Sequence, residues 1–184
     1  MKGHANKILL PLIFGTMLSA CQLEEKEAKV TSVYTPLSGA TCQQRTLEAE
    51  TGSTAELCPG VAKYQLDSLY DDNRMSLTVI TPDQKNHPLN LWDLLPSGSS
   101  SLVGSAEWRM KKEMPIAFIV RFNTSDQSDL DNPVTLPHLL VSKITSSQIC
   151  VIEIIDASQK EAEKIAANMA DNAVNKPCLP VRQQ

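Results

Sequence analysis

Ile116-Ala117-Phe118-Ile119-Val120, with Phe122 two residues on, is the most apolar run after residue 20. Five consecutive apolar positions leave no polar alternate for a solvent face. The run therefore reads as a strand covered on both faces, central in its sheet and at the middle of the core. A central strand needs partners, and the flanking sequence supplies them. Upstream, residues 102–110 alternate around Val103, Ala106 and Trp108, and Lys111-Lys112-Glu113 turns the chain. Downstream, the polar, acidic residues 123–133 read as a surface loop. Leu139-Leu140-Val141 with Ile144, and then residues 149–155, give two more strands separated by Thr145-Ser146-Ser147-Gln148.

Further toward the amino end the same period of two recurs. Residues 61–70 alternate around Tyr64, Leu66 and Leu69, Asp71-Asp72-Asn73 is a turn by composition, and Met75, Leu77 and Val79 form the next strand. These two strands should pair as an antiparallel hairpin. Leu89, Leu91 and Trp92 are read as continuing the sheet, and residues 96–101 as a flexible loop. The stretch 41–57, bracketed by Cys42 and Cys58, has few large apolar residues and reads as a pinned loop or weak hairpin.

Only one segment has a clear helical period. Ala162, Ile165, Ala166, Met169, Ala170 and Ala173 fall on one face, Ser158 with Glu161 has the spacing of a capping box, and Lys176-Pro177 ends the element. The expected fold class is α+β, an antiparallel sheet of about six or seven strands with a C-terminal helix packed on one face.

The first residues give an address. Lys2 and Lys7 make a basic opening, residues 8–17 an apolar run of about ten residues, and Leu18-Ser19-Ala20-Cys21 closes it. Ten helical residues cover about 15 Å against a hydrocarbon core of about 30 Å, too short for an ordinary span. The motif resembles the lipobox of bacterial lipoproteins: an aliphatic residue, two small residues and a cysteine. That resemblance implies diacylglycerol on Cys21, cleavage before it, and acyl chains such as palmitate holding the chain on a membrane. Each buried CH₂ adds about 0.8 kcal/mol, so two or three chains anchor firmly. Gln22, by resemblance to sorted lipoproteins of two-membrane bacteria, implies passage to the outer membrane. The organisation expected is a signal peptide over 1–20, a lipidated flexible tether over 21–40, rich in Glu24, Glu25, Lys26, Glu27 and Lys29, and a single α+β periplasmic domain over 41–184.

The leader holds two of the 17 basic side chains and none of the 21 acidic ones, which takes the formal charge from −4 to −6 on maturation. That balance argues against nucleic acid as a partner. Four cysteines remain after Cys21. An even count in an exported chain reads as two disulfides, and the order of elements favours Cys42 with Cys58 and Cys150 with Cys178. A strand running out from Cys150 and a helix returning antiparallel would deliver Cys178 back beside its start. No pair has the short spacing of structural zinc ligands, and nothing points to a cofactor.

Cys58-Pro59-Gly60, residues 72–77, 106–109, 115–121, 140–143 and 150–155, and the final helix leading to Cys178 resemble a group of uncharacterised exported proteins of Gram-negative bacteria. The likeness covers residues 58–178. It implies an exported context and fold boundaries, and it supplies no catalytic residues.

The best polar set for ligand binding is Arg74, Glu107, Arg109 and Arg121, beside Trp108, because arginine forks and an indole suit an anion or a carbohydrate. The competing reading is that Glu107 pairs an arginine on a neighbouring strand while Trp108 packs in the core. In either case Glu107 and Arg109 should share a face opposite Trp108. Asp126, Asp129, Asp131 and Asn132 lack the glycine and distal glutamate of a calcium hand. Asp71 and Asp72 read as turn acids. His87 and His138 sit beside prolines in expected loops. No Gly-x-Ser-x-Gly elbow or phosphate loop occurs. The function expected is a non-enzymatic binding module of the cell envelope, with a protein or cell-wall component as partner. The alternative is an inhibitor of a lysozyme-like or other cationic hydrolase, suggested by the acidic balance.

Overall fold

The computed structural model describes residues 28–95, 98–126, 128–129 and 131–181. Within them the chain is α+β and almost wholly antiparallel, with two five-stranded sheets and a C-terminal helix. The strands are β1 (Val30–Pro36), β2 (Gln43–Glu48), β3 (Ser53–Pro59), β4 (Gln65–Asp71), β5 (Arg74–Ile80), β6 (Asn86–Pro88), β7 (Ser100–Lys111), β8 (Met114–Asp126), β9 (Val134–Ile144) and β10 (Ile149–Asp156). The helices are α1 (Leu91–Leu94) and α2 (Ala162–Asp171), the latter followed by a 3-10 turn at Ala173–Asn175.

One sheet is the meander β2-β3-β4-β5-β6; the other runs β1-β7-β8-β9-β10. β8 is the middle strand of its sheet, as its apolar run predicts. Phe118, Val120 and Phe122 point to the core shared with the first sheet, where they meet Leu66, Leu77, Val79 and Trp108. Ala117 and Ile119 point the other way, to α2. The molecule is thus three layers deep: sheet, sheet, helix. Fully burying each large apolar side chain stabilises by about 1.5–3 kcal/mol, and both faces of β8 contribute.

The helix layer depends on small residues. Ala162, Ala166, Ala170 and Ala173 are buried against β8, β9 and β10, while Ile165 lies at the rim, 37% exposed. The expected capping box does not form. Asp156 Oδ1 accepts from both Ser158 N (2.8 Å) and Ser158 Oγ (2.6 Å), so the serine is used locally two residues back. Glu161 takes a left-handed φ of 62° instead, and the helix begins at Ala162.

Other expectations require correction. The sheet of six or seven strands is two sheets with ten strands, because alternation reports one buried face without telling which layer covers it. Residues 30–36, read as part of the 21–40 tether, are β1, paired along its length with β7 from Val30 opposite Lys111 to Pro36 opposite Ser105. The folded domain therefore starts before residue 41. Residues 43–59 form a full hairpin, β2 against β3. Leu91 and Trp92 sit in a helical turn, not a strand. Residues 123–126, read as loop, extend β8. The turn at Asp72-Asn73 is as expected, with positive φ at both residues (46° and 59°) in the manner of a tight β4–β5 hairpin.

Candidate functional site

The polar set singled out in the sequence separates into three places. Glu107 and Arg109 do share the face of β7 opposite Trp108, on the side of α2. Arg109 donates from Nε and Nη2 to the two oxygens of Asp171 (2.7 and 2.9 Å), and from Nη1 to Glu107 Oε1 (2.7 Å) and to Ser32 Oγ. Ser32 Oγ in turn donates to Glu107 Oε1 at 2.7 Å. The bidentate Asp171 bond holds the Arg109 guanidinium above its ordinary value against partial burial, and Glu107 adds to it. With its side chain 12% exposed and its fork engaged on three residues, Arg109 has little left to offer a ligand. It joins β1, β7 and the end of α2. Arg121 does the same at the other end of the helix, donating from Nη2 to Glu163 Oε1 at 2.7 Å. The competing reading puts Glu107 against an arginine on a neighbouring strand; its partner is on its own strand, two residues away.

Trp108 is fully buried. Its ring lies 5.2 Å from that of Phe118 and 6.2 Å from that of Tyr64, centroid to centroid, and its indole N–H donates to Thr35 Oγ1. It belongs to the core, not to a binding surface.

Arg74 is different. It begins β5 on the outer face of the β2–β6 sheet, where a short edge leaves room. β6 pairs with β5 only at Thr78, Val79 and Ile80. Beyond Pro88 the strand ends. Leu89 N still donates to Leu77 O at 3.0 Å, and Asn90 then adopts a left-handed φ of 54° that starts α1. α1 drops Leu91 into the core and leaves Trp92 37% exposed beside the first half of β5. The Trp92 indole N–H donates to Met75 O at 3.0 Å, taking the place of a strand N–H where β6 has stopped. Arg74 completes the arrangement. Its guanidinium carbon lies 5.1 Å from the centroid of the Trp92 ring, and Nη2 donates to Trp92 O at 3.1 Å.

These residues wall a cleft of about 340 Å³ whose lining includes Leu69, Arg74, Ser76, Thr78, Pro88, Asn90, Trp92 and Asp93. It combines an oriented cation, hydroxyls, an amide, a carboxylate and apolar carbon. Compared with known proteins, the chain matches no family model, no curated protein and no solved structure.

Arg74 belongs to the set legible in the sequence, whereas Trp92 reads there only as strand continuation. The signal that could have found it is Pro88 before Asn90-Leu91-Trp92-Asp93, a break followed by a helical start. Asp171 and Ser32 escape sequence reasoning because neither carries a motif; they meet Arg109 only through the fold.

The remaining candidates have local explanations. The disulfides are Cys42–Cys58 and Cys150–Cys178, as the element order favours. Glu56 lies beside the first pair, but both sulfurs are bonded to each other and its Oε1 accepts from Gly39 N at 2.9 Å. Asp126 and Asp129 accept from the backbone N–H two residues on, at Ser128 and Asp131. Asp71 accepts from Ser53 Oγ. His87 and His138 lie in strands β6 and β9, not in loops, and His138 Nε2 is 2.9 Å from Thr124 Oγ1. A second recess of about 430 Å³ holds Tyr64, Asp83, Lys85 and His87. There Lys85 and Thr81 hold the Asp83 carboxyl down to about 2, so its charges are matched internally. Cys21 and Gln22 lie outside the described residues.

Proposed function

We propose that the protein is a lipid-anchored, non-enzymatic binding module of the bacterial cell envelope, held at the outer membrane through Cys21 and facing the periplasm. The observation that carries the reading is Leu18-Ser19-Ala20-Cys21 at the end of a ten-residue apolar run. Two disulfides suit an oxidising compartment. The Arg74–Trp92 cleft is the candidate contact for a cell-wall component.

β1 begins at Val30, so eight residues separate it from Cys21, and at about 3.5 Å per residue they reach at most about 28 Å. The domain works close to the membrane surface, within reach of neighbouring envelope material and not on a long stalk.

Metabolic labelling with a fatty acid tests the anchor: the wild type takes up label and sediments with membranes, and Cys21→Ser does neither. A Cys21→Ser protein that still labels and sediments overturns it. Affinity capture from envelope extract tests the module, and recovery of nothing specific across several salt conditions counts against it. In the same preparation, lysozyme inhibition at micromolar protein would favour the hydrolase-inhibitor alternative instead.

A further inference from the structure

We infer that the Arg74–Trp92 cleft takes a small ligand with a free carboxylate, of the kind that ends a cell-wall peptide, and that Arg74 is the group that grips it; this rests on the binding-module reading of the same cleft. Among the described residues, Arg45 is paired with Asp67, Arg109 with Glu107 and Asp171, and Arg121 with Glu163. Arg74 has no carboxylate partner among them. Its fork is nonetheless held in place, by the Trp92 ring beneath it and the Trp92 carbonyl on Nη2, and its other N–H groups have no acceptor among the described residues. A guanidinium that is oriented but unsatisfied is preorganised for a two-point bond to a planar anion, and the ordering cost of that bond is already met within the fold.

The neighbours narrow the ligand. Arg74 covers a face of the Trp92 ring, so that face is closed to a neutral sugar that would bind by stacking. Ser76 and Thr78 hydroxyls and the Asn90 amide line the same space, and Leu69 and Pro88 add apolar carbon for a short side chain. Asp93 also lines it, which disfavours a polyanion and favours a carboxylate with an N–H or ammonium group nearby. At about 340 Å³ the cleft lies near the small end of ligand sites, about 300–1,000 Å³, which suits one or two amino-acid residues.

The test is a titration of the full mature chain in detergent, read by calorimetry and by the emission of Trp92, the exposed one of the two tryptophans. The probes are soluble muropeptides with free peptide carboxyls, the same muropeptides with those carboxyls converted to methylamides, and the neutral N-acetylated disaccharide. The free-carboxyl probe binds, and the disaccharide does not. The methylamide, and Arg74→Gln with the free acid, each lose about tenfold to a hundredfold in affinity, as expected for a charge-assisted bond. Arg74→Lys, which keeps the charge without the fork, falls between. Equal binding of acid and methylamide by the wild type overturns the inference, as does no binding of the acid at all; neither of these outcomes depends on a variant folding. Undiminished binding by a folded Arg74→Gln does the same. If the titration shows no preference for the free acid while a specific envelope partner is still captured, the carboxylate inference falls and the module reading stands.

Discussion

Trp108 donates its indole N–H to Thr35 Oγ1 at 2.8 Å, a bond between residues 73 apart that ties the first described strand to the centre of the core. Trp108 is fully buried, so this donor has no water to fall back on. Thr35 meets it because β1 pairs with β7 in a register that sets Val33 opposite Trp108 and Thr35 opposite Ala106. Thr35→Val keeps the shape and removes the acceptor, and should cost about 1–3 kcal/mol, the range for a buried polar group left unpaired. Urea unfolding measures it. A midpoint that does not move, with the slope unchanged, would mean that the indole bond adds nothing to stability.

β1 also marks the limit of what the sequence could tell. Val30, Val33 and Tyr34 do not alternate, and Tyr34 and Val33 stay 62% and 41% exposed, so the segment has no buried stripe to detect. What fixes it is its ladder with β7 and a side-chain bond, both to residues far along the chain. β2 is faint for the same reason, legible only as one arm of a pinned loop or weak hairpin, with five of its six residues exposed. β8, β9 and β10 are legible because both of their faces are covered, and α2 because its alanines repeat at helical spacing. The site follows the same division. Arg74 stands out as a charge beside a turn, whereas Trp92 becomes part of a site only because β6 stops at Pro88 and leaves a gap for the indole. Arg109 has the look of a ligand-binding group until the fold places Asp171 against it.

Gly60 marks a contact that no larger residue can share. A Cβ built there would lie 2.6 Å from Cζ2 of Trp108 and 2.8 Å from Tyr64 O, and Gly60 N itself donates to Tyr64 O at 2.9 Å. Gly60→Ala must move either the buried indole or the backbone of the turn. The expected loss is about 1–3 kcal/mol from overpacking, read as a lowered thermal midpoint. Near-UV circular dichroism should change in the tryptophan band, and an unaltered band with an unaltered midpoint would show that the turn yields freely.

His138 should give the fold a sensitivity to mild acid. Burial pushes its imidazole below the ordinary 6.5, with Asp156 opposing. The unfolded chain therefore binds the proton more readily than the folded one, so the contribution is fully present above about pH 6.5 and is lost as pH falls toward the lowered folded value. Stability from urea midpoints should decline between pH 7 and 5.5, and the decline should shrink in His138→Gln, which retains a polar partner for Thr124. An identical slope in both proteins would assign the acid sensitivity elsewhere.

The carboxyl-terminal segment is fastened to β10 and its neighbour β9 at three points. Cys178 is bonded to Cys150, Leu179 N donates to Val151 O at 2.8 Å, and Lys143 Nζ, on a residue only 6% exposed, donates to Lys176 O at 2.8 Å. The last bond satisfies a carbonyl at the end of the helical segment while giving a buried ammonium an acceptor. Leu179 also covers part of an edge strand that would otherwise present open backbone groups. The disulfide closes a loop with a sequence separation of 28, which in the chain-entropy model stabilises by about 3–4 kcal/mol. Cys150→Ser with Cys178→Ser should cost that amount and release the tail, so that the Leu179 amide exchanges with solvent at close to its unprotected rate. The β2–β3 hairpin, stapled separately by Cys42 and Cys58, should keep its protection. If the Leu179 amide stays protected without the disulfide, the Lys143 bond and the pairing with Val151 suffice to hold the segment, and the staple acts on the unfolded chain alone.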